Sequence, residues 1–283
     1  MKAMEIKKVD FENFVSVATS AHVEVYEKVE PRFYDTYNEC KTCILGDAGV
    51  AFVEGECPAE PKARQFYLDV QYDVKRWVAL HAFLAVFRQL DLVLTPTGFG
   101  VVSTQQMAPA SKQRVDALIG HLRDSVLIAC GQLLTALCRV KGWGTTTQAQ
   151  EHIDTLFFDF RMLQKMQGPA VSHLEWQAAQ RLICEADEAL RLKLSNQYMD
   201  ALLDHVRCGT VTADDNPVIF QCRHIINLWI AGDQEAVKLK MRRLLNMLDA
   251  DLEKYSIYGE FGYPVNHHEN FQNTKDAPAY IFG

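Results

Sequence analysis

The chain is short of the features that would place it quickly. Basic residues are outnumbered, 29 Lys and Arg against 36 Asp and Glu, a net charge of −7. A protein that grips phosphate backbones needs a positive surface, so this balance speaks against nucleic acid as a partner. Proline and glycine are sparse, nine and 15 in 283 residues, which excludes collagen-like and low-complexity chains. Long apolar runs are missing too. The stretch Trp77 to Phe87 is interrupted by His81 and bounded by Arg76 and Arg88, too short to span a bilayer. Met1 to Asp10 carries Lys2, Lys7 and Lys8 with no apolar run behind them, so no signal peptide is visible and a cytoplasmic product is expected.

Known catalytic patterns are also lacking. There is no P-loop, no Gly-X-Ser-X-Gly elbow and no His-Glu-X-X-His; Gly98-Phe-Gly100 lacks the third glycine of a dinucleotide loop. None of the nine histidines follows a glutamate by three positions, which removes the di-iron use of a helical bundle.

What is present is ordinary globular composition, 48% hydrophobic and 23% charged. The eight cysteines (40, 43, 57, 130, 138, 184, 208, 222) occur in a long chain without a glycosylation sequon, and several lie inside apolar helical patterns. They read as free thiols of a reducing compartment. Cys40-X-X-Cys43 with Cys57 is the best metal candidate, but no fourth ligand stands at a usual spacing, so buried or loop thiols are expected. His205 with Cys208 reads as a helix end before Gly209, not as a thiolate–imidazole pair. His267-His268-Glu269 reads as solvated polar chain. The clusters Glu185/Asp187/Glu188 and Asp249/Asp251/Glu253 fit exposed helix faces, because sequence neighbours do not face each other on a helix. Trp77, Trp176 and Trp229 sit on apolar stripes and are assigned to the core.

Apolar periodicity predicts an all-α, multi-helix bundle with little strand. A first helix is expected over 10–43, with a break at Pro31; 45–61 reads as loop, including a β-like Val50–Val53. Helices then follow over 61–92, 111–140, 172–206, 214–230 and 234–256, with a sharp non-helical stretch at 94–110. Residues 1–144 and 145–256 form two helical halves, followed by a non-helical arm, 257–283. The halves read as pseudo-repeated three-helix units, Phe11-X-X-Phe14 matching Phe157-X-X-Phe160, though the general likeness of helical bundles explains the same pattern.

Two segments carry a resemblance. Leu94-Thr-Pro-Thr-Gly-Phe-Gly-Val-Val-Ser103, followed by Ala108-Pro-Ala-Ser-Lys-Gln-Arg-Val-Asp-Ala-Leu118, resembles a family from phages and prophages of Bacteroides and its relatives. The ending Phe271-Gln-Asn-Thr-Lys-Asp-Ala-Pro-Ala-Tyr-Ile-Phe-Gly283 is similar to that family's C-terminus. The resemblance implies a helical virion structural protein of head–tail connector (adaptor) type, with no catalytic residue, cofactor or metal to carry over. Its partners would be copies of itself and other virion proteins, with no nucleic acid and no membrane, and its location the virion after synthesis in the cytoplasm.

A connector packs side by side in a closed ring through loops and arms. The candidate contact residues are Phe99, Val101 and Val102 in the loop and Tyr280, Ile281 and Phe282 in the arm. The rival readings are a helical enzyme with dispersed site residues, or a ligand- or partner-binding adaptor of the bacterial host.

Overall fold

A computed structural model describes residues 5–15, 24–90, 92–95, 98–101 and 112–267. The chain is an all-α multi-helix bundle, as the periodicity predicts, with one two-stranded ribbon among the described residues. By contacts it forms two units, 1–181 with 203–211, and 182–202 with 212–283.

In the first unit, α1 (Lys8–Phe14) and α2 (Glu24–Cys40) stand where a single helix was expected. Pro31 lies inside α2 without ending it. Its ring forfeits one backbone hydrogen bond, and the buried Val29, Phe33, Tyr37 and Cys40 on either side hold the helix together. Phe11 is fully buried against Tyr26, Phe33 and Phe83, with ring centroids 5.8–5.9 Å apart. Burying each such ring contributes about 1.5–3 kcal/mol.

The segment 45–61, expected to be loop, contains the helix α3 (Gly46–Val53). Gly49 is read as a breaker from sequence, yet here it is a packing residue. A Cβ at that position would lie 3.0 Å from Leu45 Cβ and 3.5 Å from the Trp143 ring. Val50–Val53 is therefore helical and not β-like.

Between α2 and α3 a π-helical turn, Lys41–Leu45, ends at Gly46, whose φ of 58° belongs to the left-handed region. Carbonyls near a helix end need outside donors. Those of Thr42, Cys43 and Ile44 meet Gln148 Nε2 (2.9 Å), His152 Nε2 (2.9 Å) and Trp143 Nε1 (3.0 Å). Trp143 is fully buried.

The longest helices are α4 (Pro61–Val86) and α5 (Lys112–Leu137), which pack on each other, with α1 and α2 against α4. Glu60 caps α4, accepting from Ala63 N at 2.6 Å, and Pro61 occupies its first turn. The buried stripe of α4 is Tyr67, Val70, Val74, Trp77, Val78 and Phe83, among others.

Between these helices lie β1 (Leu92–Thr95) and β2 (Gly98–Val101), antiparallel, with Leu94 opposite Phe99 and Leu92 opposite Val101. The non-helical stretch thus includes a hairpin. Its apolar residues suit strands, and Gly98 and Gly100 weaken a helix. The short α6 (Thr147–His152) is capped by Thr146, and α7 (Phe160–Gln167) by Asp159.

The expected helix 172–206 is two, α8 (His173–Leu194) and α9 (Asn196–Arg207), both crossing the boundary between the units. They break at Ser195, a non-glycine residue with φ of 81°, whose hydroxyl accepts from Tyr198 N at 3.2 Å.

The second unit adds α10 (Asp215–Ile230) and α11 (Gln234–Asp249), packed together. Thr212 and Asp215 cap each other's backbone at the start of α10, and Asp233 caps α11. The start of the expected arm is helical, a π turn (Tyr258–Gly262) leading into α12 (Tyr263–Asn266). Gly262 is needed here, since a Cβ would collide with the Leu194 carbonyl and the Tyr258 ring.

Candidate interaction sites

The predicted contact residues divide by position. Phe99 and Val101 lie on β2, where the register puts positions 99 and 101 on one face of the ribbon together with 92 and 94. Val102, Tyr280, Ile281 and Phe282 lie outside the described residues. Among the described residues no third strand joins the ribbon, so both of its outer backbone edges are without a strand partner.

The first unit holds a small cleft of about 260 Å³ between α4, α5 and α7, with Phe66, Asp73, Gln132, Arg139 and Arg161 in its wall. Arg161 is held by Asp159, Nε at 2.8 Å and Nη2 at 2.6 Å, and also donates to the Gly131 carbonyl and the Thr135 hydroxyl. Asp159 is buried and spends its other oxygen capping α7 through Arg161 N at 2.9 Å. Arg139 lies over the Phe66 ring, 4.3 Å from its centroid. Loss of water pushes the Asp73 carboxyl above the usual range, with Arg76 the largest opposing influence. The cleft therefore offers two guanidiniums, Arg139 on a ring and Arg161 tied to Asp159, beside the carboxyls of Asp69 and Asp73 and the Thr135 hydroxyl.

The second unit holds a larger groove of about 590 Å³ along α11. Trp229, Met241 and Leu245 form a half-buried apolar floor with Val237, and the exposed Lys193, Lys238 and Arg242 form a basic rim. At its end Asp249 accepts from Tyr258 Oη at 2.8 Å and pairs with His267 Nε2 at 3.0 Å. His267 stacks on Tyr263 with centroids 4.1 Å apart, and Asn266 donates to the Lys193 carbonyl at 2.6 Å. His267 is thus anchored, not loose polar chain, while His268 and Glu269 lie outside the described residues.

Other sequence candidates fall as follows. Cys40 is buried, whereas Cys43 and Cys57 are exposed; among the described residues no three His, Cys, Asp or Glu side chains are grouped to hold a metal. Gly209, with φ of 63°, ends α9 while Thr210 N bonds the His205 carbonyl, a left-handed helix cap. Asp187 is not on an exposed face. It is buried and bonded to Arg191 Nε at 2.7 Å, and Arg191 reaches Asp200 at 2.7 Å. Asp249 is likewise engaged, as described. Trp77 is buried, but Trp176 and Trp229 are only partly so. Trp143 is the tryptophan that sequence reasoning missed. Helix α5 is long and apolar enough to cross a membrane by length and composition, with mean hydropathy 1.2 and a third of that window buried. Its Asp124 pairs with the buried His173, Oδ1 to Nδ1 at 2.8 Å.

The profile of a family of unknown function (DUF6712) matches residues 58–153. That span begins just before α4 and takes in the ribbon, α5 and α6. No curated protein and no solved structure matches the chain.

Proposed function

We propose that this chain is a non-enzymatic structural subunit of a phage or prophage virion, of head–tail connector type, which assembles with copies of itself and with other virion proteins. The observation that carries the reading is the ribbon 92–101, placed between the two longest helices and inside the family-matched span. A two-stranded ribbon alone is marginal in water. Its open edges and apolar positions 92, 94, 99 and 101 suit pairing with another chain. The resemblance of 94–118 and 271–283 to phage and prophage proteins supports that setting.

The test is negative-stain electron microscopy and sedimentation of the full chain, alone and with the products of adjacent virion genes. Rings or stoichiometric complexes are expected, and Phe99→Asp with Val101→Asp should abolish them while leaving helix content unchanged. A chain that stays monomeric with every such product present refutes the proposal. The reading as a host adaptor or enzyme would gain from saturable small-molecule binding lost in Arg139→Ala, at the cleft beside Asp73.

A further inference from the structure

We infer that the groove along α11 receives helix α2 of a second copy of this chain, with Tyr34 on its apolar floor and Glu27 and Glu30 against its basic rim. The inference rests on the reading that copies of the chain assemble, and it gives that assembly a head-to-tail contact.

The groove has the shape of a helix seat. Its wall on α11 runs the whole helix, from Gln234 to Asp249, through Val237, Lys238, Met241, Arg242 and Leu245. These positions recur at steps of three and one, so they form one continuous stripe about 24 Å long. A bundle helix normally buries such a stripe against another helix. A compact ligand would fill one end of it, whereas a helix of equal length fills it all. Helix α2 has 17 residues against the 16 of α11.

Charge selects α2. It carries five acidic residues against Lys28 and Arg32, a net charge of −3, which makes it the most acidic helix among the described residues. Helix α11 carries Lys238, Lys240, Arg242 and Arg243 against two acids, a net charge of +2. Glu235 answers Lys238 at 2.8 Å, and among the described residues Lys193 and Arg242 form no ion pair. The rim thus keeps positive charge that its own chain leaves unmatched. Complementary charge steers two surfaces together and fixes their register.

The helical turn then selects one flank of α2. Val29, Phe33, Tyr37 and Cys40 are buried. At about 100° per residue, positions 27, 30 and 34 lie within about 60° of one another, and Lys28 and Arg32 fall on the other flank, where Arg32 meets Asp35 at 3.8 Å. Glu27, Glu30 and Tyr34 are all exposed, Tyr34 at 65%. Tyrosine is an interface anchor, with an apolar body and a polar tip, and Met241 is an adaptable partner for its ring. Glu27 and Tyr34 are seven residues apart, as are Lys238 and Leu245. Parallel alignment therefore sets acid on base and ring on apolar floor at once, about 10 Å apart on both helices. The two surfaces differ, so the contact is heterologous and can repeat around a ring.

The experiment is a charge swap in the full chain, read by sedimentation alone and with the products of adjacent virion genes. One variant carries Glu27→Lys with Glu30→Lys, the other Lys238→Glu with Arg242→Glu. Each should self-associate at least about tenfold more weakly than the native chain. Mixing the two variants, or combining all four substitutions in one chain, should restore association to within about threefold. Variants that associate as the native chain does overturn the inference, and so does a swap that restores nothing. Loss of binding to another virion protein with self-association intact assigns the groove to that protein and also overturns it. Should a reversed chain not fold, benzoylphenylalanine at position 34 of the otherwise native chain decides. Irradiation should give a product of two-chain mass that maps to residues 229–245 of the other copy; a one-chain product, a product elsewhere or none overturns the inference. Assemblies that persist in the reversed variants leave the connector reading standing, whereas a native chain that stays monomeric in every mixture removes both.

Discussion

Replacing Gly131 by alanine probes how closely α5 packs on the Asp159 carboxyl. Gly131 is buried within α5, and on helix propensity alone alanine should stabilise by about 1 kcal/mol. The structure predicts the opposite. A Cβ on residue 131 would overlap the Asp159 carboxyl, with Oδ2 only 2.8 Å away and the other oxygen closer. Asp159 would have to move, giving up its cap on α7 (about 1 kcal/mol) and its charged hydrogen bonds to Arg161 (about 1.5–3 kcal/mol).

After the propensity gain, Gly131→Ala should destabilise by about 1.5–3 kcal/mol. Urea unfolding followed by tryptophan fluorescence suits the measurement, because Trp176 packs against Phe157 and Phe160 at 6.4 and 6.0 Å, next to α7. The matching control adds the same alanine to an Asp159→Ala chain. With the carboxyl gone, the alanine should now stabilise by a few tenths to 1 kcal/mol. A stabilising effect in the wild-type chain, or an equal effect in both backgrounds, would refute the argument.

The thiols offer a second test. Labelling of the native chain should modify the exposed Cys43, Cys57, Cys184 and Cys208 and spare the buried Cys40, Cys138 and Cys222, while denaturant should release all eight. Burial pushes the Cys130 and Cys222 thiols up from an ordinary 9.0 to about 12. The unfolded chain therefore binds fewer protons between those values, so their stabilising contribution is full below about pH 9 and is lost as pH rises toward 12; rising stability over that window in urea titrations would contradict this. Asp187→Ala should cost about 3 kcal/mol in the melting midpoint analysis, because it breaks a buried pair with Arg191. A strong chelator should leave thermal unfolding unchanged; loss of fold on chelation would make ligands of Cys40, Cys43 and Cys57.

Helix type and the main helical spans were legible because apolar residues recur at helical spacing. Gly209 was legible as a stop for the same local reason. Breaks were harder. Nothing in Leu194-Ser195-Asn196 marks an interruption, since serine at a positive φ is unusual. The kink is supported by contacts a local reading cannot see, among them Arg191 reaching across it to Asp200. Gly46 and Gly49 misled in the other direction. Their glycines serve close packing against Gln148, Leu45 and Trp143, so a glycine-rich stretch became helix. The π-turn carbonyls and the groove were equally hidden, because their partners are distant in sequence. Of the six contact candidates, Phe99 and Val101 gained a defined register and the other four lie outside the described residues.

The three side-chain bonds onto the Lys41–Leu45 turn join residues 99, 106 and 109 positions apart. Kinetically they form a latch. Each can close only after the intervening chain, with α4, the ribbon and α5, has brought 42–44 and 143–152 together. The α4–α5 pair closes a shorter loop and so meets less entropic resistance. The latch should therefore be absent from the folding transition state. Trp143→Phe would then speed unfolding and leave the refolding rate nearly unchanged. The turn at 41–45 would act as the clasp that sets how long the folded unit lasts, while the helical pair sets how fast it appears.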